Sequence, residues 1–254
     1  MGQLDIDYYC RTYRNFMSAS ECEEYIEKYE ETLNVDAEKQ KQLSICRLPG
    51  GGQMCGYCNC MRINPQEYER FETLNNTVIL RFEEVLDQYK QDINIHKTQW
   101  PKKYGYEEMR IKRFLIEGGD KDNDYLPNNY HGLQNHVDIY SYAHAKRFLC
   151  LMIYLNDDFD DGQTIFPLFN KKVKPEQGMM FIFPPTWTYL HSGARPIKNE
   201  KTRHGAKYFL MLHLNYIDLT KVNEYSGSSF SRDKPAREPM AENLSVEELQ
   251  WPKA

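Results

Sequence analysis

Apolar positions recur at helical spacing before Trp100-Pro101 and at strand spacing after it. Residues 8–16 read as a short strand running from Tyr8-Tyr9-Cys10 to Phe16. Ser18 and Glu21 then stand three apart, the spacing of a capping box in which each side chain satisfies the other's backbone N–H. Cys22, Tyr25, Ile26, Tyr29 and Leu33 follow at helical intervals and predict a helix to about residue 34. Residues 35–64 lose the period. Asn64-Pro65 opens a second predicted helix, with the proline in the first turn, where its missing N–H costs nothing. Phe71, Leu74, Val78, Phe82, Val85 and Tyr89 make one apolar stripe along it. Both stripes predict helices packed on a sheet.

After Trp100-Pro101 the period shortens to two. In Tyr106–Leu115, Met109, Ile111 and Leu115 alternate with Arg110, Lys112 and Phe114. Further strands are predicted at 136–140, 147–155, 163–166, 171–174, 179–184, 190–192 and 206–216. Strands joined by turn signals, with no helices between them, exclude a doubly wound sheet and predict an all-β barrel or double-sheet jelly roll. Residues 117–132, rich in Gly, Asp and Asn, form a long polar loop of the kind that serves as a lid or binding loop. From Lys221 the chain turns polar, and Ser245-Val246-Glu247-Glu248 suggests a short capped helix.

Composition narrows the class. With 254 residues, 41% apolar and 13% aromatic, the chain suits one sizeable domain with extensions, or at most two small ones. A net charge of -5 argues against a general nucleic-acid binder, which needs a concentrated basic surface. No apolar run approaches the roughly 20 residues that span a bilayer. Met1–Asp7 lacks the basic and apolar regions of a secretion signal. The expectation is a cytoplasmic protein that neither crosses a membrane nor binds nucleic acid. Seven cysteines, an odd number, fit a reducing compartment. Cys55, Cys58 and Cys60 crowd together with Cys46 upstream. Four thiolates can hold structural zinc, although an ordinary turn around Gly50-Gly51-Gly52 is the plainer reading.

The sharpest chemical signal is His136-Val137-Asp138 with His191 53 residues beyond. Two imidazoles and one carboxylate can occupy one face of an octahedral ferrous ion and leave the other positions open. On a strand, residues two apart project from the same face, so His136 and Asp138 can converge on one metal. The remaining histidines, His96, His131, His144, His204 and His213, lack a carboxylate at ligand spacing and read as surface or hydrogen-bonded residues.

The surrounding text resembles the prolyl 4-hydroxylase-type branch of the iron- and 2-oxoglutarate-dependent dioxygenases. Phe16-Met17-Ser18 with Glu21-Cys22 is similar to the family's opening strand-to-helix signature. His136-Val137-Asp138 matches its first two iron ligands. Arg147, Tyr154-Leu155-Asn156-Asp157 and Gly162 to Pro167 resemble the strand and turn that follow. Lys174-Pro175, Gly178 to Pro184, Trp187 and His191 resemble the approach to the third ligand. The resemblance implies a mainly β fold: a double-stranded β-helix (jelly roll) core over 104–219, supporting N-terminal helices and a Cys-rich loop within 1–103, and a polar tail over 220–254. It implies Fe(II) held by His136, Asp138 and His191, with 2-oxoglutarate and O2 as co-substrates and ascorbate as a further cofactor. The partner would be a peptide or protein substrate, hydroxylated at a prolyl residue, with a small molecule as the other option. Asp138 favours hydroxylation, because halogenating relatives lose this carboxylate. A cupin-like protein that holds metal and 2-oxoglutarate without turnover is the competing class.

The family also places a basic residue on the last strand to bind the far carboxylate of 2-oxoglutarate. Lys207 has that context, and Thr164 is a further candidate contact. Lys207 lies 16 residues after His191, where about ten is common, so Arg203, Lys201 and Arg195 are rivals. Lys207 is favoured because it begins the apolar run Tyr208–Leu212. Asp161 and Gln163 depart from the family's glycine and glutamate in the preceding turn. Phe114 stands where a tyrosine is usual, leaving Tyr106, Tyr125 or Tyr130 to supply a hydroxyl. Trp187 and Tyr189 are candidates for the substrate entrance.

Overall fold

The computed structural model describes residues 6–35, 60–63, 68–116 and 132–217. The cysteine cluster other than Cys60, the loop 117–131, His131, Tyr125, Tyr130 and everything beyond 217 lie outside the described residues.

Two helices and thirteen strands are described: α1 (Ala19–Val35), α2 (Glu72–Asp92), β1 (Arg11–Tyr13), β2 (Cys60–Ile63), β3 (Tyr104–Tyr106), β4 (Arg110–Leu115), β5 (Leu133–His136), β6 (Arg147–Tyr154), β7 (Asp160–Asp161), β8 (Thr164–Phe166), β9 (Lys171–Val173), β10 (Met180–Phe183), β11 (His191–Gly193), β12 (Pro196–Ile197) and β13 (Ala206–Tyr216). A seven-stranded antiparallel sheet has the order β1-β10-β6-β13-β4-β2, with β3 pairing the far end of β13. A four-stranded sheet has the order β5-β11-β8-β9, and β7 pairs β12.

The capping box forms as the spacing predicts. Ser18 N donates to Glu21 Oε2 at 2.8 Å, and Glu21 N donates to Ser18 Oγ at 3.3 Å. Glu21 also pairs with Arg81 of α2. Cys22, Tyr25, Ile26 and Tyr29 of α1 and Leu74, Val78, Phe82, Leu86 and Tyr89 of α2 are buried against the large sheet. Leu86, one step from the predicted Val85, completes the stripe because it lies four residues after Phe82. Between the helices Tyr25 Oη donates to Asn75 Oδ1 at 3.0 Å, satisfying both buried groups.

Three layers result: helices, large sheet, small sheet. The large sheet is therefore covered on both faces, and its central strands read as unbroken apolar runs. In β13, Ala206, Tyr208, Leu210, Leu212 and Leu214 join the helical core. Phe209 and Met211 join Cys150, Met152, Tyr154, Phe166, Phe181 and Phe183 in a second core against the small sheet.

Several element boundaries differ from expectation. Residues 6–9 form a 3-10 turn, and the strand is confined to Arg11–Tyr13 because its partner β10 offers only four residues. The start placed at Asn64-Pro65 falls outside the described residues, and α2 begins at Glu72 after a 3-10 turn, Glu69–Phe71. The strand predicted from 136 to 140 instead ends at His136. Its last residue pairs with His191, the first of β11, and no partner strand among the described residues extends beyond. No described helix is long and apolar enough to cross a membrane.

Gly178 ties the sheet to the entry of α1. Its φ is +76°, and a Cβ there would stand 2.1 Å from the Met17 carbonyl oxygen. The same two residues are joined by a bond from Met17 N to the Gly178 carbonyl at 3.1 Å. Gly178→Ala combines backbone strain with a clash against main chain, so an expected loss on the order of 3 kcal/mol should appear as a lowered urea midpoint.

Candidate active site

Pairing in the small sheet brings the two predicted histidines together. His136 and His191 are direct cross-strand partners, with ring centroids 4.3 Å apart. The chain turns sharply after β5, and Arg147 Nη1 holds that turn by donating to the Asp138 carbonyl at 2.9 Å. The Asp138 side chain is thereby folded back towards both rings. Its Oδ1 lies 3.7 Å from His136 Nε2 and 3.9 Å from His191 Nε2.

His191 is 5% exposed and packed against Phe166 and Phe183. Its Nδ1 is 3.0 Å from the Tyr189 carbonyl. A carbonyl only accepts, so Nδ1 donates and the Nε2 lone pair is left facing Asp138. Burial by itself would raise the Asp138 pKa. The His213 hydrogen bond is the largest of the influences that outweigh it, and the carboxyl is held well below its usual range. An ionised carboxylate and two imidazole nitrogens, all within 4.8 Å of one another, suit a divalent metal. Ligands about 2.1 Å from one ion stand roughly 3 Å apart when adjacent, so each group needs only a small shift to close on it.

A second trio, Asp138, Cys150 and His213, meets the same distance limit. It is a poorer donor set. Its Asp138–His213 contact is already a hydrogen bond, and burial pushes the Cys150 thiol well above its ordinary pKa.

His136 and His191 line one pocket together with Thr164, Ser192 and Gly193 of the small sheet, and Lys112, Phe114, Met152, Lys207, Phe209 and Met211 of the large one. Lys207 is 3% exposed. Its Nζ donates to the Gly162 carbonyl at 2.6 Å and lies 5.3 Å from the Tyr154 and Phe209 ring centroids. No carboxylate among the described residues pairs with it, and burial pulls its pKa down to about 7. A buried ammonium without a counter-ion is costly, and it suits an anionic ligand.

The rival cations lie elsewhere. Arg203 does not line the pocket: its side chain is 62% exposed and pairs with Glu23 at 3.0 Å. Arg195 reaches the Ile116 carbonyl, and Lys201 is exposed. The residues added between His191 and Lys207 are spent on β12 and on a turn closed by Asn199 and Thr202. Asp161 and Gly162 both have positive φ, 61° and 70°, so the aspartate adopts the left-handed backbone a glycine would take.

Thr164 is buried on the pocket wall, with its Oγ1 2.7 Å from Tyr154 Oη. A tyrosine hydroxyl bonded to a pocket residue thus comes from β6. Tyr106 points away to Glu83. Phe114 stacks on Phe209 within the pocket. Trp187 is 80% exposed, Tyr189 packs against Phe169, and neither lines the pocket.

Sequence reasoning passed over His213. It is 1% exposed, with Nε2 3.1 Å from Asp138 Oδ2 and Nδ1 3.1 Å from Glu107 Oε2. His213 lies six residues after Lys207, an even spacing that puts both on one face of a strand; that was the available signal. His204 also has a carboxylate partner, Glu23, at 2.9 Å, whereas His96 and His144 bond to hydroxyls.

No protein-family model matches the chain. Over 70 residues, 24% of its length, it is 36% identical to an Acanthamoeba polyphaga mimivirus protein named "Putative prolyl 4-hydroxylase", and the match spans 28% of that protein. A solved Trichoplax adhaerens prolyl hydroxylase, in complex with a hypoxia inducible factor oxygen degradation domain peptide fragment, is similar at a TM-score of 0.54 and 15% identity, over 82% of this chain and 84% of that one. A viral collagen prolyl hydroxylase from Paramecium Bursaria Chlorella virus-1, solved as its 2OG complex, has a TM-score of 0.49 and 18% identity over 83% of this chain and 97% of its own. In fold the chain is similar to a solved prolyl hydroxylase, and over that one stretch its sequence is similar to a protein named as a putative prolyl 4-hydroxylase.

Proposed function

We propose that this chain is an Fe(II)- and 2-oxoglutarate-dependent dioxygenase that hydroxylates a prolyl residue of a peptide or protein. The observation that carries the reading is one pocket lined both by His136 and His191, which cluster with Asp138, and by a buried lysine that no carboxylate among the described residues pairs with. A dianionic keto acid can chelate a metal at one end and meet an ammonium at the other. In this reading residues 104–219 make a double-stranded β-helix core, 1–103 supports it and adds β1 and β2 to the large sheet, and 220–254 is a tail. A cytoplasmic setting and ascorbate as a further cofactor belong to the same proposal.

His136, Asp138 and His191 would hold the metal, leaving positions open for the keto acid and O2. Iron bound there supplies the oxygen chemistry: one oxygen atom enters the substrate as hydroxyl, the other enters succinate, and carbon dioxide leaves. Lys207 would orient 2-oxoglutarate through its far carboxylate, with Thr164 beside it and Tyr154 holding the threonine hydroxyl. Phe114, Phe209, Met152 and Met211 exclude water around it.

The test has two stages. Under anaerobic conditions, Mn(II) and 2-oxoglutarate together should raise the melting temperature by several degrees, since a ligand at 100 times its Kd stabilises by about 2.7 kcal/mol. Aerobic incubation with Fe(II), 2-oxoglutarate and proline-containing peptides should then yield succinate and a peptide heavier by one oxygen atom. No melting shift at saturation counts against the site. A shift without succinate across the peptide set would favour the non-catalytic, cupin-like alternative.

A further inference from the structure

His213 has two acidic neighbours and no exposed edge. Its Nε2 faces Asp138 Oδ2 and its Nδ1 faces Glu107 Oε2, each at 3.1 Å. Glu107 is itself clamped. Arg147 donates to both of its oxygens at 2.9 and 2.8 Å, and Arg110 pairs with it at 3.1 Å. Arg147 also donates to the Asp138 backbone carbonyl, so a single guanidinium braces both the backbone of the ligand and the carboxylate behind the histidine.

This arrangement makes the two oxygens of Asp138 unequal. Oδ2 is occupied by His213, while Oδ1 faces His136 and His191. An aspartate without that partner could rotate about its last bond and offer either oxygen, or both, to an ion. We infer that His213 is a positioning residue that holds Asp138 as a ligand through Oδ1 alone, with Glu107 and Arg147 as its brace. The inference rests on the metal-centre reading and adds to it a task for a residue beyond the three ligands. Groups that orient metal ligands commonly change metal affinity 10- to 100-fold when removed. Here the orienting group sits on the large sheet, whereas His136 and His191 belong to the small one. The carboxylate thereby couples the two sheets at the pocket.

The test compares wild type, His213→Gln and His213→Met in Mn(II) titrations followed by the electron paramagnetic resonance signal of free Mn(II), at one pH. Gln and Met have similar length and bulk, and only Gln keeps a donor for Asp138. His213→Met should bind Mn(II) roughly 10- to 100-fold more weakly, and His213→Gln should recover most of that loss. The visible spectrum of the Co(II)-loaded protein should change in the Met variant and stay close to wild type in the Gln variant, because a carboxylate free to use both oxygens alters the coordination number. Wild-type affinity and an unchanged Co(II) spectrum in His213→Met would overturn the inference while leaving the metal centre standing. Failure of the wild type itself to bind Mn(II) would overturn both. If His213→Met does not fold, nitrogen NMR of ring-labelled histidine in the Zn(II)-loaded wild type decides. A proton on His213 Nε2 supports the inference, and its absence overturns it.

Discussion

Asp138→Asn is expected to remove metal binding as completely as Asp138→Ala, although the side chain keeps its shape. The reason lies behind the residue. Asp138 Oδ2 accepts from His213 Nε2, and an asparagine in its place must keep an oxygen there or leave a buried donor unsatisfied. Its amide nitrogen is then turned towards His136 and His191, where it has no lone pair to offer a metal. Mn(II) affinity should fall by more than 100-fold, beyond the upper end of losses seen when only an orienting group is removed. The far-ultraviolet circular dichroism should be unchanged. Succinate formation should fall with metal occupancy. Substantial Mn(II) affinity in Asp138→Asn would show that the carboxylate is not a ligand.

Lys207→Met should separate stability from function. The ammonium is buried without a carboxylate among the described residues, and its pKa is drawn down to about 7 from an ordinary 10.5. The sign follows from linkage. Below about pH 7 the lysine is charged in both folded and unfolded chains, and the full burial penalty weighs on the fold. Between about 7 and 10.5 the folded chain gives up the proton that the unfolded chain keeps, so the penalty shrinks as pH rises. At about 1.4 kcal/mol per pKa unit the penalty amounts to a few kcal/mol. The ligand-free methionine variant should therefore melt several degrees above wild type near pH 6.5, with the difference narrowing towards pH 10. Its response to 2-oxoglutarate should be lost, because removing one member of a buried charge pair commonly costs 2–5 kcal/mol, roughly 30-fold or more in affinity. In the wild type, 2-oxoglutarate should bind with proton uptake above pH 7, and its affinity should fall as pH rises. Calorimetry in buffers of different ionisation enthalpy would read that proton directly. A methionine variant that retains 2-oxoglutarate affinity would remove Lys207 from the site.

How much of this could be read in advance depended on the range of the interactions. The capping box at Ser18 and Glu21 and the stripes of α1 and α2 are local patterns, and they form where their spacing puts them, save that Leu86 rather than Val85 is the fully buried member. The run 206–216 becomes a strand over the same residues. The convergence of His136 and Asp138 was inferred from strand alternation, yet β5 stops at His136 and a turn held by Arg147 carries Asp138 back. The residues were legible, but the element that brings them together was not. The choice of Lys207 over Arg203 followed from its place at the head of an apolar strand, whereas Arg203 pairs with Glu23 across 180 residues of chain.

By itself the sequence determined the helical and strand periods and the order of the longer elements, though not the short strands β2, β7 and β12, and it singled out His136, Asp138, His191 and Lys207 as candidate groups for a metal and an anion. These depend on residues a few positions apart. Only the tertiary structure decided which face of the doubly buried β13 meets the pocket, because a strand apolar on both sides carries no period that distinguishes its faces. It alone paired His136 with His191 across two strands, and it alone set His213 between Asp138 and Glu107. Cross-strand register and the satisfaction of buried charges are long-range conditions, met only when all the layers close together.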